Sequence, residues 1–189
     1  MCIRARYYPV GFADKFGEVG LGPERADVMT RNRSVLDRGV PLSFHSDLPM
    51  GRSDPIGMMS CAVNRVTPSG RVAGPDERID VEAALRAVTI DAAFSWHKEA
   101  ELGSIEVGKI ANFTVVDRNP LDVEPRCLDE IDVVGTVFCG RWFPVPSESR
   151  GSTSLSRPRG LAPVMGGRSG HDHGGCICDV ARELMRHVA

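Results

Sequence analysis

Gly39-Val40-Pro41-Leu42-Ser43-Phe44-His45-Ser46-Asp47 decides the fold class. A short apolar stretch that follows a glycine and ends in polar side chains reads as a mostly buried strand. Upstream, Pro23 suits a first helical position, and Glu24 and Asp27 lie near the positive end of a helix dipole. Val28 and Val35, like Met29 and Leu36, repeat at a seven-residue interval, and Gly39 suits a C-terminal cap. These signals predict one helix of about four turns over 23–39. Helix, turn and buried strand in succession are the grammar of an α/β unit. Residues 1–22 are rich in glycine and aromatics without a clean period, so they read as the end of a loop, with order beginning at Pro23.

Working outward, Asp54-Pro55 predicts the start of a short helix with Ile56, Met59 and Val63 on one face. Asp80 is a good N-cap for a second amphipathic helix, in which Val81, Leu85, Val88 and Ala92 follow helical spacing. Trp96 and Gly103 bracket its end. Beyond Gly103 the period changes to that of strands: Phe113, Val115 and Val116 in one run, then Val133 to Phe138 and Arg141 to Val145 on either side of Cys139-Gly140, a tight hairpin turn. Residues 147–170 are Ser, Arg, Gly and Pro with few large apolar side chains, a composition that cannot repay the entropy of ordering and predicts a disordered linker. A short helix over 180–188, capped by Asp179, closes the chain.

Bulk properties narrow the function classes. The 189 residues are 42% hydrophobic and 25% charged, with net charge −2, the balance of a globular protein able to bury a core. No broad basic field exists for a phosphate backbone, so a nucleic-acid partner has no electrostatic support. No stretch approaches the ~20 apolar residues that span a bilayer, and the N-terminus lacks a signal-peptide run, so no membrane partner and a cytoplasmic location are expected. The cysteines at 2, 61, 127, 139, 176 and 178 do not form a disulfide framework and read as free thiols.

Chemistry concentrates at the strand end. In a parallel α/β barrel the C-terminal ends of strands face the active site, and a carboxylate there can ligate a metal and take a proton from bound water. By spacing alone, Asp47 reads first as an aspartate capping the next turn. His45 lies two residues earlier, on the same strand face, and reads either as a lining ligand or as a packing histidine. His171, Asp172, His173, Cys176 and Cys178 offer nitrogen and sulfur donors in the tail, though Cys-x-Cys is not the usual zinc spacing and a solvated tail is the alternative.

The run Leu21-Gly22-Pro23-Glu24-Arg25-Ala26, the stretch 39–47 and Glu82-Ala83-Ala84-Leu85-Arg86-Ala87-Val88-Thr89-Ile90-Asp91-Ala92-Ala93 resemble, in that order, the last third of amidohydrolase family 3. The likeness continues through Gly103-Ser104-Ile105-Glu106-Val107-Gly108-Lys109-Ile110-Ala111-Asn112-Phe113 to Val137-Phe138-Cys139-Gly140-Arg141, and covers residues 7–145. Asn112 departs from the aspartate common in the family's Gly-Lys-x-Ala-Asp stretch.

The resemblance implies a partial (β/α)8 barrel, its last strand and helices, over 1–103. It also implies the C-terminal strands of a small β-sandwich over 104–146, followed by the linker 147–170 and a His/Cys-bearing tail over 171–189. It makes Asp47 both metal ligand and catalytic residue in a metal-dependent hydrolase of carbon–nitrogen bonds, with zinc as the divalent metal and a small amide-like substrate. The family's His-x-His motif and further ligands have no counterpart in residues 1–40, so the chain is expected to be a C-terminal portion inactive alone, completed by an N-terminal half or by a homo-oligomer. The alternative is a non-catalytic interaction or metal-binding module on the same scaffold.

Overall fold

The computed structural model describes residues 3–6, 11–47 and 53–146. Strand β1 (Ile3–Arg6) pairs in parallel with β2 (Leu42–His45), in the register Ile3↔Leu42 to Arg6↔His45. Parallel strands cannot be joined by a tight turn and need a crossover of a dozen or more residues. Here the crossover carries α1 (Ala13–Val19), α2 (Pro23–Asp27) and α3 (Asn32–Leu36). Order therefore begins well before Pro23, contrary to the sequence reading, and β2 has a parallel neighbour. Four residues of Ile-Arg-Ala-Arg are too few for periodicity to register.

The single helix expected over 23–39 is two helices, and Arg65 supplies the reason. Its side chain is wholly buried. The guanidinium donates from Nη2 to the Asp27 carbonyl (2.9 Å), from Nη1 to the Thr30 carbonyl (3.1 Å) and hydroxyl (3.2 Å), and from Nε to the Ala73 carbonyl. Carbonyls at the α2–α3 break are thus satisfied by a distant side chain rather than by the next helical turn. Burial depresses the Arg65 pKa below its ordinary value, while the negative charges of Glu77 and Asp27 pull it back up.

Arg65 itself ends α4 (Pro55–Asn64) in the left-handed region, φ 53°, its N–H bonded to the Cys61 carbonyl. At the other end of α4, Asp54 accepts from the Gly57 N–H at 2.9 Å, with Pro55 at the first position, as the sequence predicts. Helix α5 (Val81–Val88) begins the same way, Asp80 accepting from the Ala83 N–H at 2.7 Å. The expected continuation to Trp96 breaks at Thr89, whose φ of −121° and ψ of −99° are not helical, and resumes as α6 (Ile90–Ser95). Gly103, at φ +89°, lies so close to α6 that a β-carbon would come within 2.8 Å of Ala93 Cβ.

The core gathers Leu42 of β2, Val35 of α3, Met59, Ala62 and Val63 of α4, Ala84 and Ala87 of α5, and Ile79, Leu128 and Ile131 from connecting segments. It draws on residues from both sides of position 103. A second sheet, β3 (Phe113–Val116), β4 (Val133–Phe138) and β5 (Arg141–Pro144), is antiparallel in that order. Cys139 and Gly140 have φ of 49° and 79°, the paired positive values of a type I′ hairpin. Asn112 accepts the Cys139 N–H at 2.7 Å, a role an aspartate could also fill, which accounts for its tolerance at that position. The expected linker 147–170, the tail 171–189 and the helix over 180–188 lie outside the described residues.

Candidate functional site

Burial falls along β2, from Leu42 and Ser43, which are buried, to Phe44 and His45, which are partly exposed. Strand β2 thus becomes more exposed toward its C-terminal end. Asp47 lies two residues beyond it, with 30% of its side chain exposed, and belongs neither to a helix nor to the apolar core. Its φ of 59° is left-handed, a conformation that aspartate tolerates better than most side chains.

The Asp47 N–H donates to His45 Nδ1 at 3.1 Å, while Nδ1 stands 3.9 Å from the Asp47 carboxylate. Accepting an N–H requires a lone pair on Nδ1, so the neutral imidazole in this geometry carries its hydrogen on Nε2. The 3.9 Å approach is therefore not a charged hydrogen bond through Nδ1. The strand ends at His45, so the two-residue alternation that would align His45 and Asp47 on one face does not reach Asp47. The histidine meets the aspartate through its backbone.

A catalytic zinc takes about three protein ligands and a water. Among the described residues no three His, Cys, Asp or Glu side chains form a group able to hold a metal ion. Asp47 with His45 therefore does not fit a complete metal centre, because the donors are too few and Nδ1 is already engaged. His171, His173, Cys176 and Cys178 lie outside the described residues. Among the described residues no helix is long and apolar enough to cross a membrane.

Two polar clusters that sequence reasoning missed are closed on themselves. Buried Glu77 accepts from both the Ser34 N–H (3.0 Å) and the Ser34 hydroxyl, and so holds the first turn of α3. Arg71 joins Asp27 (2.6 Å) and Asp14 (3.5 Å), tying α1 and α2 to the Val66–Val72 bridge. Neither has a local sequence signal, since the partners are more than forty residues apart. Their donors and acceptors serve packing.

The model of the amidohydrolase family matches residues 7–143. The chain is 43% identical over 108 residues to the N-substituted formamide deformylase of Arthrobacter pascens, a match covering 57% of this chain and 20% of that enzyme. It is 25% identical over 115 residues to the imidazolonepropionase of Bacteroides thetaiotaomicron, covering 61% of this chain and 26% of that enzyme. Among solved structures, a metal-dependent hydrolase from Pyrococcus furiosus superposes with a TM-score of 0.51 at 28% identity, over 65% of this chain and 24% of that one. The chain thus spans about a fifth to a quarter of the length of these proteins.

Proposed function

Because this chain belongs to the amidohydrolase family, we propose that it forms part of a hydrolase of carbon–nitrogen bonds in which Asp47 is the general base. The observation that carries this reading is the place of Asp47: a part-exposed carboxylate directly past the C-terminal end of a parallel strand pair. In the proposed reaction a water gives its proton to the Asp47 carboxylate as its oxygen attacks the carbonyl carbon. The carbon–nitrogen bond then breaks, and the proton passes from Asp47 to the leaving nitrogen. The parallel pair is read as the end of a (β/α)8 barrel and the antiparallel sheet as part of a small β-sandwich. A divalent metal, zinc, belongs to the whole site, with its remaining donors supplied from beyond the described residues. The substrate is a small amide-like molecule. The second reading, a non-catalytic module, is favoured by one observation, the lack of a three-donor group among the described residues.

A segment exchange separates the two. Residues 7–143 replace the matching part of the Arthrobacter pascens deformylase, and hydrolysis of an N-substituted formamide is measured. The enzyme reading predicts turnover that Asp47→Asn lowers by about 10²–10⁴-fold, the range expected of a general base. A folded, metal-loaded exchange protein whose turnover ignores Asp47→Asn would leave the non-catalytic reading.

A further inference from the structure

We propose that His45 is a positioning residue for Asp47, acting through the aspartate's backbone and not on its carboxylate. The inference rests on the reading of Asp47 as the reacting carboxylate. A strand that ran on past His45 would send the residue-47 N–H toward a ladder partner. Instead that N–H turns back to His45 Nδ1 at 3.1 Å, and the chain passes through φ 59° at Asp47. Fixing this N–H fixes the peptide plane between residues 46 and 47, and with it the place of the Asp47 Cα from which the carboxylate projects. The carboxylate itself lies 3.9 Å from Nδ1, beyond hydrogen-bond length, so the histidine orients the acid without Nδ1 bonding to it. An apolar residue at position 45 would leave the turn without its acceptor. Asparagine would restore it, since an Asn side chain accepts from the N–H two residues on in an Asx turn.

The test uses the full chain, uniformly labelled with ¹⁵N and ¹³C. An N–H···N hydrogen bond transmits a scalar coupling between the two nitrogens, and the proposal requires one between the Asp47 amide and His45 Nδ1. It also requires that His45→Leu move the Ser46 Cα and backbone carbonyl resonances, which report that peptide plane, away from their wild-type values. His45→Asn should retain those values, with all three proteins melting at the same temperature. No coupling in the wild type, or Ser46 resonances that stay at their wild-type values in His45→Leu, would overturn it. Neither result depends on turnover: a segment exchange that fails with the coupling intact counts against Asp47 as the base and not against the role of His45.

Discussion

Arg65 shows how one residue can set an architecture that local sequence does not announce. A buried guanidinium that satisfies three carbonyls and a hydroxyl cannot be removed without stranding acceptors in the interior. Arg65→Met should cost about 2–4 kcal/mol in urea unfolding. Arg65→Lys should recover little of it, because one ammonium cannot reach acceptors spread around a planar fork. Asp14 carries a smaller effect with a definite pH signature. Burial works to raise its pKa, but hydrogen bonds from Thr67 and Ser69 and the charge of Arg71 outweigh that and leave it below the ordinary carboxylate value. A depressed native pKa gives stability that is present above the unfolded value and is lost as pH falls through the native one. Asp14→Asn should therefore lower stability at pH 7 by under about 1 kcal/mol, as befits a solvent-screened group. Its unfolding curve should converge on that of the wild type as pH drops below about 4. A difference that widens on acidification would refute the assignment.

At the scale of elements, the caps are the features most legible in sequence. Asp54, Pro55 and Asp80 stand where helix-start chemistry requires them, because capping is settled within four residues of chain. Asp80→Ala should cost about 1 kcal/mol, seen as a lower urea midpoint with an unchanged slope. The Cys139-Gly140 hairpin was legible for the same reason. Helix length was not: Val35 and Leu36 fall on α3, but Val28 and Met29, seven residues earlier, lie in the break after Asp27, whose carbonyl Arg65 takes up from far along the sequence. The break at Thr89 and the strand β1 were likewise hidden, the first because a non-helical ψ leaves no mark on composition and the second because four residues hold no period. That Asp47 follows a buried strand was legible in the sequence, but the left-handed turn and the bond to His45 were not, since the strand pattern places residues 45 and 47 on one face.

For the whole molecule, Asp47 is proposed as one donor of a site whose other donors come from beyond the described residues. The family match over residues 7–143 and the part-exposed carboxylate past the end of β2 support that proposal. The most direct measurement is metal content, read alongside amidase turnover, for the full chain, for a version ending at Pro146, and for each with Asp47→Asn. The account predicts that residues 1–146 hold no stoichiometric metal and turn over no amide, and that Asp47→Asn changes neither quantity. One carboxylate cannot supply the about three protein ligands of a catalytic zinc, and any metal on the full chain should leave with the His171 to Cys178 tail. Stoichiometric metal that survives the cut after Pro146, disappears with Asp47→Asn and is accompanied by turnover would contradict it.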